Sequence, residues 1–189
     1  MKLLTANGML PIVGGKAIQM PDTAGMETTI LDRSISGEYT NESLTAVQAY
    51  ALAYCTHLTG VNFPNAAVLG NSALDNCTSL TSVNAPKVTK VGTYCMRGIK
   101  AAKLSFPALS SILGLAFSSC ADLNALILGA PTVCALAAVS AFMGTGIENG
   151  TGYVYVPSAL VDSYKITAPW SSMASKIRAI EDYPDITGG

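Results

Sequence analysis

Charge is scarce in this chain of 189 residues. Only 12% of it is Asp, Glu, Lys or Arg, against roughly 25% in an ordinary globular protein. Eleven basic residues meet twelve acidic ones for a net charge of −1, which removes the basic footprint that nucleic-acid binding needs. The implied surface is neutral, rich in hydroxyls and amides, or partly covered by other subunits. Histidine is rarer still. His57 is the single one, so a Ser-His-Asp triad, a Cys-His dyad or a multi-histidine metal site is hard to build. Flanked by Cys55 and Leu58, it reads as a surface loop residue.

Other absences narrow the field further. No Cys-x-x-Cys, Gly-x-Ser-x-Gly, His-Glu-x-x-His or P-loop occurs, which leaves no catalytic residue, metal site or cofactor to nominate. The glycine-rich run Gly144 to Gly152 has no Lys and leads into a strand, so it reads as a turn. Asn124 to Ile147 carries no charge, but Gly129, Pro131, Gly144 and Gly146 interrupt it, whereas a membrane span wants about 20 continuous apolar residues. Met1-Lys2-Leu3-Leu4 starts like a secretory signal, yet Asn7, Gly8 and Pro11 break the stretch early. Asn41, Asn76 and Asn149 head N-x-S/T triplets, which matter only in a eukaryotic secretory setting. Glu181, Asp182 and Asp185 read as a solvated end.

What is present is a repeat. One phrase runs Cys55-Thr56-His57-Leu58-Thr59-Gly60-Val61-Asn62-Phe63-Pro64 and returns as Cys77-Thr78-Ser79-Leu80-Thr81-Ser82-Val83-Asn84-Ala85-Pro86. Looser copies run from Gly98 to Pro107 and from Cys120 to Leu128. Pro64, Pro86 and Pro107 are spaced by 22 and 21 residues, the period of a leucine-rich solenoid. Each copy carries an L-x-x-L-x-L pattern: Leu58, Val61, Phe63; Leu80, Val83, Ala85; Ala101, Leu104, Phe106; Leu123, Leu126, Leu128. The last two of each set are two apart, so an extended chain turns them to one side and the copies can stack as a parallel sheet. Ala66, Leu69, Ala73, Leu74, Val88, Val91, Tyr94, Cys95, Leu109, Ile112, Ala116 and Phe117 would fill the opposite wall, with Leu52, Leu74, Cys95 and Phe117 in one slot.

Cys55, Cys77 and Cys120 also share a slot. Coil neighbours lie about 4.8 Å apart, so a Cys55–Cys77 bridge is conceivable, but buried thiols acting as small hydrophobes are the favoured reading.

Outside the repeat, residues 1–33 are punctuated by Gly8, Pro11, Gly14, Gly15, Pro21 and Gly25 and read as an arm or cap. Ile30 to Tyr39 alternates as an opening strand. Asn41 or Ser43 could cap a helix through Leu44, Val47, Ala51 and Leu52, the first copy of the convex wall. Tyr153 to Val156 is a strand. Ser158 could cap a helix carrying Leu160, Val161 and Tyr164, which Pro169 stops, and Ser171 or Ser172 could start another carrying Met173, Ile177 and Ile180. Tyr183 to Gly189 reads as a tail.

The phrase Asn76-Cys77-Thr78-Ser79-Leu80-Thr81-Ser82-Val83 and the ending Gly152 to Lys165, with Trp170-Ser171 and Lys176 to Glu181, resemble the BspA-like leucine-rich repeats of bacterial surface proteins and of phages or prophages of gut bacteria. The resemblance covers about residues 34–180. It implies an α/β solenoid with parallel strands, divided into an arm (1–33), a repeat solenoid (34–156) and a C-terminal helical cap and tail (157–189).

Such a solenoid offers a concave sheet for binding. Gly60, Asn62, Ser82, Asn84, Lys103, Ser105, Ala125, Ile127, Tyr153 and Tyr155 alternate with the apolar sets and should form a row across that sheet. The expected role is non-enzymatic: a phage virion component such as a fibre, decoration or tail-tip protein, attached through residues 1–33 to other virion proteins and presenting its repeat to a host surface protein or glycan. A homo-oligomer, a trimer for a fibre, goes with that setting. The virion setting comes from the resemblance. The alternative is a bacterial cell-surface adhesin.

Overall fold

A computed structural model of the chain describes residues 33–187. The arm expected at 1–33 lies outside the described residues apart from Arg33, and Ile30 and Leu31 of the opening strand lie outside them too.

The chain winds as a solenoid in which the repeat supplies one coil at a time. Numbered along the chain, the long strands of successive coils are β1 (Ser36–Thr40), β3 (His57–Asn62), β5 (Ser82–Asn84), β7 (Lys103–Phe106), β9 (Ala125–Leu128), β11 (Tyr153–Val156) and β12 (Ile177–Ala179). All pair in parallel, as β1-β3-β5 and as β7-β9-β11-β12. The shorter strands β2 (Ala46–Val47), β4 (Val68–Leu69), β6 (Lys90–Val91), β8 (Ser111–Ile112) and β10 (Ala135–Leu136) form a continuous five-stranded ladder on another side of the coil. Register places Val61 opposite Val83, Leu104 opposite Leu126, and Val154 between Leu126 and Ile177. The apolar sets therefore stack as columns, and Leu58, Phe63, Leu80, Phe106, Leu123 and Leu128 are fully buried.

The remaining wall is built from turns rather than helix. Ala46–Val47 is a strand paired with Val68–Leu69, and the helix expected through Leu44, Val47, Ala51 and Leu52 does not form. Asn41 is not a helix cap; its side chain accepts the Ser43 N–H at 3.0 Å in a local turn. The reason is spatial: an α-helix is about 10 Å across, while coils stack at about 4.8 Å. Backbone bonds from each turn to the next coil replace the helical ones, as in Leu52 N–H to Ala73 O (2.9 Å), Leu74 N–H to Cys95 O (2.7 Å) and Met96 N–H to Ala116 O (2.9 Å).

Two residues per turn take positive φ to bend the chain: Tyr50, Ser72, Tyr94 and Leu115 at one end, and Tyr54, Asn76, Gly98 and Ser119 at the other. These positions fix the alignment and correct it by one residue in the third copy. Gly98 belongs with Tyr54 and Asn76, so Ile99 takes the slot of Cys55, Cys77 and Cys120, and Met96 rather than Cys95 takes that of Leu52, Leu74 and Phe117. Ile99 N–H accordingly bonds Met96 O as Cys77 N–H bonds Leu74 O. Tyr94 stands half-buried under the Arg97 guanidinium, 4.8 Å from its ring centre, instead of filling the wall.

All five cysteines are buried and reduced. Cys77 Sγ donates to Leu52 O at 3.1 Å and Cys120 Sγ to Met96 O at 2.9 Å, one coil back in each case. Burial pushes the thiols of Cys77, Cys95 and Cys134 up to about 12 and that of Cys120 to about 11. They are inert as nucleophiles near neutrality.

The C-terminal end of the interior is sealed by aromatic side chains. Phe117 stacks on Phe142 at 5.7 Å, Phe142 meets Trp170 at 5.9 Å, and Trp170 meets Tyr164 edge-on at 5.2 Å. Cys134 ties both rings down, its carbonyl accepting the Trp170 indole N–H at 2.6 Å and its N–H donating to the Tyr164 hydroxyl at 2.8 Å.

The glycine-rich turn contains one helical turn, α1 (Gly146–Asn149), capped by the Thr145 side chain accepting from Glu148 N–H. Ser158 opens a 3-10 turn leading into α2 (Val161–Ile166), and Pro157, not Ser158, stands at the cap. The Ser158 N–H bonds the Glu181 carboxylate at 2.9 Å. Trp170–Lys176 is 3-10, and Ile177 lies in β12, not in a second helix. A last turn, α3 (Pro184–Thr187), follows the 3-10 segment Ile180–Asp182.

Candidate functional site

The strand alternation that buries Val61, Leu104 and Leu126 turns their neighbours to the outer face of the long-strand sheet. Register brings the sequence-predicted residues into rows there. Gly60 is opposite Ser82, and Asn62 opposite Asn84; Lys103 is opposite Ala125 and Ser105 opposite Ile127; Tyr153 and Tyr155 then follow Ala125 and Ile127.

The face is not uniformly open. Ser82, Asn84, Lys103 and Ser105 are exposed, and Asn62 is half-buried. Asn84 Nδ2 donates to Asn62 Oδ1 at 2.8 Å, an amide step between neighbouring strands. A shallow groove lies where β5 and β7 form the facing edges of the two sheets, lined by Thr81, Ser82, Val83, Lys100, Lys103 and Ser105. Gly60, by contrast, is buried beneath Glu38 of β1, whose Cγ would lie 3.2 Å from a Cβ at that position.

Ala125, Ile127 and Tyr155 are also covered, at 6%, 5% and 6% exposure. Their cover is Ile180, expected on the second C-terminal helix, with Tyr183 and Ile186 of the stretch expected to be a tail. Ile180 and Ile186 pack with Tyr153 against them, and the Tyr183 ring meets Tyr155 edge-on at 5.3 Å. Lys103 Nζ donates to Ile186 O at 3.2 Å. The sequence held a signal for this contact in the three-residue spacing of Ile180, Tyr183 and Ile186, overshadowed by the acidic residues between them. Tyr153 remains half-buried with the Arg178 guanidinium 4.3 Å from its ring centre.

His57 is exposed, as expected, but begins β3 rather than sitting in a loop. Among the described residues no group of three or more His, Cys, Asp or Glu side chains converges to hold a metal ion. No helix among them is long and apolar enough to cross a membrane.

None of the curated proteins compared matches the chain. Among solved structures, a leucine rich cell surface protein from Faecalibacterium prausnitzii A2-165 is similar at 18% identity and a TM-score of 0.49, over 63% of this chain and 31% of that one. The chain thus spans about a third of the length of that protein. Residues 39–152 match the family model of the BspA type leucine rich repeat region, in six copies, and with its parallel coils and repeated apolar columns the chain belongs to the BspA type leucine-rich repeat family.

Proposed function

We propose that this chain is a non-catalytic recognition module that binds a protein segment on the outer face of its long-strand sheet. The observation that carries the reading is the exposed row Ser82, Asn84, Lys103 and Ser105, held in strand positions by a predominantly apolar interior. These side chains contribute little to stability where they stand, and a rigid sheet presents them at fixed spacing, which lowers the ordering cost of binding. Asn62 and the half-buried Tyr153 extend the surface on either side.

The test is selection of peptides from a displayed library on the immobilised full chain, beside a glycan array. Selected peptides should lose binding at least tenfold to S105R, at the middle of the face, and keep it with K90A, on the ladder of short strands. Peptides indifferent to S105R, or glycan binding that survives it, would end the proposal.

The setting proposed with this role is a phage virion, with residues 1–33 as the attachment to other virion proteins; a bacterial cell surface is the alternative. Both settings come from the sequence resemblance to BspA-like repeats, which occur on bacterial surfaces and in phages. Mass spectrometry of purified particles and of cell-surface fractions from the producing strain separates the two.

A further inference from the structure

The segment after β12 lies against the recognition face. Ile180, Tyr183 and Ile186 are three residues apart, on two successive turns that meet at Tyr183, and are turned to Ala125, Ile127 and Tyr155. Glu181, Asp182 and Asp185 are exposed on the other side. This cover does not close the interior, which Trp170 and Tyr164 already seal. It sits on the same face as Ser82, Asn84 and Ser105, and it reaches the open half through Lys103.

Its attachment thins after Glu181. Tyr183 is 41% exposed and Ile186 half-buried. The Glu181 carboxylate accepts the Ser158 N–H at 2.9 Å near the start of the segment; beyond it the backbone bonds Tyr183 N–H to Ile180 O and Ile186 N–H to Tyr183 O stay within the segment, and the tie from Ile186 to the body is the lysine side chain. The segment carries three carboxylates, and Lys103 of the face is bonded to it through the Ile186 carbonyl. A short stretch with few buried contacts belongs to the part of a protein that opens locally before the whole unfolds.

We propose that Ile180–Thr187 is a removable occupant of the recognition face, holding in cis the place of the partner. The partner is then a peptide segment with an aromatic and an aliphatic side chain three residues apart, and with a carbonyl or carboxylate oxygen for Lys103. This rests on the reading of the face as a protein-binding surface and specifies what it binds. A partner must displace the segment, so the free chain is held in a low-affinity state.

The probe is a fluorescent peptide of residues 180–189, titrated into the full chain and into the full chain carrying Y183S and I186S. The double variant should bind the peptide at least tenfold more tightly than the parent, and adding K103A should reverse much of the gain. Equal binding by parent and double variant, or none by either, would overturn the proposal. Hydrogen exchange of the unaltered chain gives a second measurement that does not depend on the variant folding. Amides of Tyr183 and Ile186 should exchange at least a hundredfold faster than those of Leu126 and Val154, at a rate insensitive to low urea. Exchange of both sets only through global unfolding would make the segment a fixed part of the fold. If the segment opens and binds in trans while library peptides ignore S105R, the general recognition reading fails and the cis occupancy stands.

Discussion

The two halves of the long-strand face have the same backbone and different fates. Around β5 and β7 the outward positions hold Ser82, Asn84, Lys103 and Ser105, all exposed. Around β9 and β11 the equivalent positions hold Ala125, Ile127 and Tyr155, each at most 6% exposed. Strand pairing is parallel and in register on both sides. Strand geometry therefore decides which way a side chain points, and a segment outside the repeat decides whether it meets water. The apolar half could not have stayed open without presenting a patch of the kind that recruits a neighbour; here Ile180, Tyr183 and Ile186 supply the cover.

The largest expected effect addresses what the halves share. Cys77 lies beneath the open half and Cys120 beneath the covered half, and burial raises both thiols, as it does Cys95 and Cys134. Tyr164 is raised to about 12 for the same reason. A group whose acidity is weakened in the folded state holds more protons folded than unfolded between the two pKa values. Its stabilisation is complete below the unfolded value, near 9 for the thiols and 10 for Tyr164, and is lost as pH rises toward 11 or 12. With each group contributing about 1.4 kcal/mol per pH unit in that window, urea midpoints should be level from pH 6 to 8 and fall steeply above 9. A flat profile to pH 11 would show that solvent reaches the interior. Next in size, L104A beneath the open half and L126A beneath the covered half should each cost about 2–5 kcal/mol, with similar values because both side chains are almost fully buried. A clear difference in urea unfolding would mean that the cover stabilises the columns below it.

Much of this was legible in the sequence because a repeat tests its own alignment. Val61, Val83, Leu104 and Leu126 recur at the solenoid period, and burial in columns follows once the coils stack, although Val83 is only half-buried beside the groove. The one-residue slip in the third copy arose where Gly98 was matched to Cys55. A glycine in that phrase marks the positive-φ bend shared with Tyr54 and Asn76, and φ is not written in an apolar pattern. The wall helix failed for a related reason: Leu44, Val47, Ala51 and Leu52 have helical spacing, yet coil spacing forces Ala46–Val47 into a ladder. For the candidate site, alternation gave the orientation of all ten residues but not the burial of Gly60 under Glu38 or of Tyr155 under Tyr183. Glu38 is the register partner of Gly60 one coil back, but its long side chain belongs to a coil outside the clear copies of the phrase, and the Tyr155–Tyr183 contact joins positions that no repeat relates.

The smallest expected effects sharpen the contrast most. Y155S removes a buried ring that contacts Tyr183 and Tyr153, and should cost about 1–3 kcal/mol because much of its apolar surface is hidden from water. N84A, at an outward position on the open half, removes a 2.8 Å bond to Asn62. That bond is exposed, so water replaces both partners when it is lost, and the cost should stay within about 0.5 kcal/mol. The comparison is made by chemical denaturation of both variants beside the parent at pH 7. Equal losses would erase the distinction between the halves, because an Asn84 as costly as Tyr155 would have to be supporting the sheet itself. A near-silent N84A that also weakens peptide capture would place the same amide on the binding surface, since only a side chain idle in folding can affect binding while leaving stability untouched.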